Sequence, residues 1–349
     1  MEHPTVAQSP PPDGGYGWTV AGACFVLNAF TWGATSSFGV YLSEYLLSRR
    51  FPDTKPLEFG FIDGLNFSCA MLVAPLVTHL TRKLGLHAVM IPECLVQSLG
   101  YAIASISAQP WHLYLTQGAL VGFGIDLIVI PSTAVLSQWF SSRRSIANGI
   151  SSAGSGAGGA AFTWGTAATI KSLGVHWALR ITGLVAFTAT LAATLFLGDR
   201  NKHIRPTQLA FDVALLRKKE VVLLLLWTFV HMFGYVTLLF SLSDFALSVG
   251  LSQQQATDII GFLNFGTALG RPIVGIASDR FSRIATAGTL TFMCGMICFA
   301  LWIPARSFAV TATFAVLCGA ILGVFWMVRE TFLKSLEDDI RIRFRKLTS

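Results

Sequence analysis

The chain is predicted to be an all-α polytopic membrane protein, and three observations carry that prediction. Its 349 residues are 53% hydrophobic and only 12% charged, against roughly 25% charged in soluble domains. The uncharged stretches recur at about the 20 residues a helix needs to cross the hydrocarbon core. The basic residues sit in the short connections between those stretches, and mostly in alternate ones.

Taken in order, residues 1–12 form a polar, Pro-rich tail, expected to be disordered and without the basic and apolar regions of a cleavable signal peptide. The expected spans cover residues 18–41, 59–80, 86–106, 111–136, 147–170 and 177–197. A basic linker, 199–219, separates them from spans 221–242, 257–278, 285–303 and 307–328. The domain reading is a six-helix first half over 13–198, an incomplete four-helix second half over 220–328, and a charge-dense tail over 329–349. With the N-terminus in the cytoplasm, 18 of the 25 Lys and Arg residues fall on the cytoplasmic side. Arg49, Arg50, Lys55, Lys171 and Arg306 fall outside, and Arg180 and Arg271 lie within spans. Positive charge marks the cytoplasmic face, so the prediction is an N-inside multi-pass protein with a cytoplasmic linker. Six spans, a basic linker and a second block are the layout of a two-half transporter.

The same residues argue against other classes. The net charge of +7 reads as topology signal and attraction to headgroups, so no nucleic acid is expected. Cys24, Cys69, Cys94, Cys294, Cys298 and Cys318 all fall in expected spans, giving neither an extracellular disulfide framework nor a zinc pattern. No nucleophile–base constellation is visible, so the chain is not expected to be an enzyme or to hold a cofactor or metal. Gly154, Gly156 and Gly159 match the spacing of a dinucleotide fingerprint, yet they follow a basic loop, not a strand. With Gly158 they read as small residues that let helices approach closely.

Four motifs occur in order: DGGYGW from Asp13, WFSSRRSIANGISSAGSGAGG from Trp139, HWALRITG from His176 and LNFGTALGRPIVGIASDR from Leu263. Together they resemble the monocarboxylate porter family of the major facilitator superfamily, in its fungal branch. The resemblance implies twelve helices in two six-helix halves that rock around a central site, where this chain shows about ten. It makes Asp13, Gly14, Gly15, Gly17 and Trp18 an opening motif, and Arg143, Arg144, Asp279, Arg280 and Arg283 cytoplasmic gate contacts. It also marks departures. Ser36 stands where proton–lactate porters of the family have a lysine, and Thr267 where they have an aspartate four residues before the matched Arg271. His79 lies near the place of a customary aspartate.

Arginine in hydrocarbon costs about 2.5–3.5 kcal/mol on insertion scales, so Arg271 is the first candidate. Its bidentate fork suits a substrate carboxylate; the alternative is snorkelling to nearby headgroups. Pro272 after it predicts a local kink. Asp126, central in its span, is the candidate proton carrier, or else a neutral structural acid. Glu93 reads as structural, and Asp244 as reaching water. Asn28, Asn66, His231, Tyr235 and Asn264 are candidates to line a cavity, though polar residues in spans also bond helices together.

The expected function is alternating-access secondary transport of a monocarboxylate, a related small organic anion or a secondary metabolite, with proton coupling, in the plasma membrane rather than an organelle. The expected partners are that small molecule and the bilayer, with an accessory membrane protein left unspecified. The alternative is a truncated, transport-inactive scaffold or an incorrect gene model.

Overall fold

The computed structural model describes residues 11–48, 51, 54–200, 217–281 and 283–324. The acidic and basic tail and most of the linker lie outside these residues. Among the described residues every regular element is helical, with no strand.

Among the described residues, seven helices are long and apolar enough to span a membrane. The expected first span is instead three helices, α1 (Tyr16–Phe30), α2 (Trp32–Ser36) and α3 (Phe38–Leu47). The breaks fall at Thr31 and Ser37, whose hydroxyls bond the preceding turn, to Leu27 O at 2.7 Å and Ala34 O at 2.7 Å. Such back-bonding competes with the helical ladder. The carbonyl of Phe30 at the first break accepts from Gln97 Nε2 at 2.9 Å.

Next come α4 (Pro56–Leu84) and α5 (Leu86–Ala104), then α6 (Pro110–Leu113), which passes through a π-helical turn into α7 (Val121–Trp139). α8 (Arg144–Leu173) and α9 (Val175–Leu195) complete the first block. Single glycines, Gly85 at φ 90° and Gly174 at φ 84°, make the α4–α5 and α8–α9 reversals, a backbone region open to glycine at little cost. The second block is α10 (Lys219–Ser248), α11 (Gln253–Arg280), α12 (Arg283–Ile297) with a π turn over Cys298–Trp302, and α13 (Phe308–Leu322). α11 opens on a full capping box, Ser252 with Gln255.

Each block has its own apolar clusters. Leu27, Met90, Ile128 and Phe140 centre one, and Tyr41, Phe59, Tyr101 and Ile125 another. Leu242, Ile259, Leu263 and Phe314 centre that of the second block. α8 is the central strut between blocks, and its glycines explain why. A Cβ on Gly154 would stand 2.0 Å from Phe25 O of α1, and one on Gly158 2.1 Å from Ala29 O. On another face, a Cβ on Gly156 would meet Ala268 N of α11 at 2.4 Å, and one on Gly159 the Asn264 amide at 2.5 Å. Backbone therefore packs on backbone along two sides of α8, the arrangement small residues permit in a bilayer. The apolar surface faces outward, with Leu72 of α4 80% exposed and Phe292 of α12 70% exposed, as lipid contact requires.

Candidate functional site

Arg271 sits nine residues from the end of α11 with its side chain buried, 4% exposed. It does not snorkel. One terminal nitrogen donates to the Ser152 carbonyl and the Ser155 hydroxyl of α8, while Nε is buried without a hydrogen-bond partner. A Cβ on Gly323 would lie 2.8 Å from Arg271 Cγ, so the glycine after α13 makes room for the stem. Among the described residues no carboxylate pairs with the guanidinium, which has five donors to satisfy. Thr267, one turn earlier, spends its hydroxyl on Leu263 O at 3.0 Å and Gly319 O at 3.1 Å, tying α11 to α13.

A cavity of about 110 Å³ opens between the blocks, walled by α2 and α3, by α4, and by α10 and α11. Ser36, Asp63, Ser243, Asp244 and Gln253 supply its polar lining, and Leu42, Leu239 and Ile260 are among its apolar walls. That volume holds several waters. A smaller void of about 10 Å³, bounded by Tyr41, Asp63, Asn66, Tyr101 and Gln117, adjoins it. Asp63 belongs to both and is 3% exposed. Asn66, one turn on, donates to Gln117 O at 3.0 Å and leaves its Oδ1 buried and unpaired. Tyr235 of α10 is within electrostatic reach of both Asp63 and Arg271.

The expected lining residues divide. Asn66 borders the smaller void. Asn28 instead donates to Cys24 O at 2.9 Å and Ser151 Oγ at 3.2 Å, and Asn264 to Ile260 O at 3.2 Å. His231 meets Leu322 O at 3.2 Å and stacks on Trp227. Asp126, 2% exposed in α7, is engaged by other groups and borders neither cavity. Asp244 lines the cavity and is exposed, as expected of an acid that reaches water. Asp63 had no place in the sequence reading. Its one sequence signal is that it stands three residues before Asn66, on the same helix face.

At the end of the bundle that carries Asp279, α11 is tied to α8. The first N–H groups of α8 lack intrahelical acceptors, and its own Arg143 cap offers no side-chain bond. Asp279 of α11 supplies it from the other block, accepting from Ser145 N at 3.3 Å and Ile146 N at 2.9 Å. Arg143 and Arg280 are exposed, Arg144 is buried and engaged, and the Arg283 side chain lies outside the described residues.

The opening motif packs on the same connection. Asp13 accepts from Ser141 N at 2.6 Å, Ser141 Oγ at 2.8 Å and Ser142 N at 3.0 Å. Burial opposes its charge, but these donors outweigh it and hold the carboxyl below the usual range. A Cβ on Gly17 would press Phe140 at 3.1 Å, and Trp18 meets the Phe140 ring edge-on at 4.8 Å. Gly15 takes φ 59°, whereas Gly14 has open space around it. The third motif works at the α5–α6 connection, where His176 Nδ1 contacts Ser105 O and Arg180 Nε donates to Ser105 Oγ at 3.1 Å.

Comparison with known proteins places this geometry in context. Residues 21–333 match the profile of the Major Facilitator Superfamily. The chain is 35% identical over 320 residues to the "Probable transporter MCH2" of Saccharomyces cerevisiae, covering 90% of this chain and 68% of that protein. It is 36% identical to the "Uncharacterized transporter ESBP6" of the same yeast, covering 90% of this chain and 48% of the relative. Human "Monocarboxylate transporter 11" is 28% identical over 79% of this chain and 60% of its own length.

Proposed function

Because the chain belongs to the Major Facilitator Superfamily, and so is a multi-pass membrane protein of a transporter family and not an enzyme, we infer that it carries a small organic anion by alternating access. A monocarboxylate is the reference substrate, as the name of the human relative suggests, and a secondary metabolite acid fits the same chemistry. The carrying observation is Arg271. A buried guanidinium with an unpaired Nε and no acidic partner among the described residues is a costly arrangement unless an anion completes it.

In this reading the Asp279 end is cytoplasmic and closed, and the cavity beside Asp63 is open toward the outside of the plasma membrane. The anion enters past Ser36, whose small side chain borders the cavity, and reaches the guanidinium beyond Tyr235. Asp63 is the proton carrier, since it lines the cavity and no described group ion-pairs with it. Asp126, buried in α7, is the alternative carrier. Breaking the Asp279 cap of α8 while the outer cavity closes then exposes Arg271 to the other side. The first and second halves, 13–198 and 220–328, are the bodies that move.

The test is uptake of radiolabelled lactate, and of a panel of short carboxylic acids, by cells expressing the chain. Saturable uptake lost in Arg271→Ala supports the reading. Unchanged uptake in that variant removes Arg271 from the site, and absence of uptake of any acid in the panel removes the carboxylate assignment.

A further inference from the structure

The second block brings together three thiols that the transport reading does not use. Cys294 and Cys298 stand one turn apart, on α12 and at the start of its π turn, and Cys318 comes from α13. The three sulfurs all lie within 4.8 Å of one another, with Cys294 Sγ 3.9 Å from Cys318 Sγ. All three cysteines are free thiols. Cys318 is fully buried, and the other two are partly buried against the apolar cluster of Leu263 and Phe314. No histidine or carboxylate joins the group among the described residues.

Three sulfurs converging in an apolar wall, without a fourth ligand or a compensating cation, select their guest by charge. Soft thiolates suit monovalent copper, zinc and other thiophilic centres. A monovalent ion on three thiolates leaves a net charge of −2, and a divalent ion leaves −1 and in structural sites takes four ligands. Either residue of charge is penalised in hydrocarbon. A trivalent centre on three thiolates is neutral, and one with a stereochemically active lone pair needs no fourth ligand. Sulfurs sharing one centre at thiolate bond lengths of about 2.3 Å stand roughly 3.8 Å apart at tetrahedral angles, close to the Cys294–Cys318 separation of 3.9 Å.

We propose that Cys294, Cys298 and Cys318 form a binding site for a trivalent thiophilic metalloid, taken up as its neutral hydroxide. With arsenous acid as the probe, each S–H bond breaks, each proton leaves with a hydroxide of arsenic as water, and three As–S bonds form. One As(OH)₃ and three thiols yield As(SR)₃ and three waters. Arsenic stays trivalent, nothing is oxidised or reduced, and the bound complex carries no charge. The uncharged reactant reaches a lipid-facing site where an ion would be excluded. The occupied site cross-links α12 to α13.

The experiment uses the full chain, purified under reducing conditions in lipid nanodiscs and titrated with arsenous acid. Intact mass reads the stoichiometry, and X-ray absorption at the arsenic edge reads the ligands. The expected result is one arsenic per chain held by three sulfurs. Affinity should fall at least about tenfold in Cys298→Ser and in Cys318→Ala, since each removes one arm of a chelate. Binding should be unchanged when Cys24, Cys69 and Cys94 are all replaced by Ala. Cys298 is partly exposed, so its serine variant keeps the test valid if Cys318→Ala fails to fold. Coordination by two sulfurs or fewer, binding that survives Cys298→Ser unaltered, or a Cys294–Cys318 disulfide in the protein as isolated would overturn the proposal. So would tighter binding of zinc or monovalent copper at the same three cysteines.

Discussion

The Asp279 end of the bundle and its middle differ in how they treat their charged groups. At the Asp279 end the two carboxylates meet their partners, although Ser145 Oγ and Ser278 Oγ are buried without one. Asp13 takes three donors from Ser141 and Ser142, and Asp279 takes two helix-terminal N–H groups. In the middle, Arg271 Nε, Asn66 Oδ1, Thr35 Oγ1 and Gln97 Oε1 are buried without hydrogen-bond partners, and Asp63 borders two cavities. Unpaired buried polar atoms are expensive, and native structures concentrate them where a ligand or water completes them. The end whose carboxylates are bonded therefore reads as a latch, and the middle, where a cation and an acid are not, as a place waiting for a guest.

The largest effect that would break this contrast is at Arg271. Truncating one side of a buried charged contact costs about 2 kcal/mol or more, some thirtyfold in binding. Arg271→Ala should thus reduce lactate uptake at least thirtyfold while surface expression, read by labelling intact cells, stays near that of the parent. Arg271→Lys keeps charge without the bidentate fork and should recover part of the loss. Equal uptake by all three proteins would make the unpaired Nε a packing accident.

Asp63 comes next. Uptake by the parent is expected to rise as external pH falls, because a protonated carrier accompanies the anion. Asp63→Asn should flatten that profile, and Asp126→Asn should leave it sloped. The reverse pair of outcomes would transfer the coupling role to Asp126.

These two residues also show how far the sequence could be read. Arg271 was legible because arginine is rare in an apolar run and the surrounding motif repeats a family pattern. Asp63 was not. It lies at the edge of its expected span, in FIDG, where an acid looks like an interfacial residue. Only its burial beside Tyr41, Tyr101 and Gln117, from other helices, takes it out of water. The broken first span was equally hidden, since Thr31 and Ser37 end helices through bonds to their own preceding turns, which hydropathy does not register. The glycines of α8 announced close packing but not against which helix. One face meets α1 and the other α11, and that partition depends on the crossing geometry of the whole bundle. The cysteines, spread over 25 residues of sequence, gave no spacing from which convergence could be read.

The latch offers a third, smaller test. An anion at a helix N-terminus is worth about 0.3–1 kcal/mol when exposed, and up to ~2 kcal/mol when partly buried. Asp279→Asn keeps the acceptor but removes the charge, so it should shift the protein toward the conformation open at this end by a few-fold. Alkylation of a cysteine introduced at exposed Arg280 would measure the shift, with faster labelling expected in the variant. Unchanged labelling would mean that the α8–α11 backbone packing alone holds this end shut.

The smallest effect is expected at Asp13, and its sign follows from its hydrogen bonds. Because the folded carboxyl is held below the usual range, its ionised form contributes stability above the unfolded value of about 3.9. That contribution is lost as pH falls through the folded value. The group lies at the surface and is only partly buried, so solvent screening keeps the contribution within about 1 kcal/mol. Asp13→Asn should lower the melting temperature slightly at pH 7, and the gap to the parent should close below the carboxylate range. A gap that persists in acid would show that the loss comes from the amide's altered hydrogen bonds and not from charge, since asparagine tolerates the left-handed backbone, φ 52°, as aspartate does. Replacing Asp13 by glycine separates the two contributions. Glycine adopts the backbone freely and supplies no acceptor, so a loss in Asp13→Gly equal to that in Asp13→Ala would assign the effect to the carboxylate's bonds to Ser141 and Ser142.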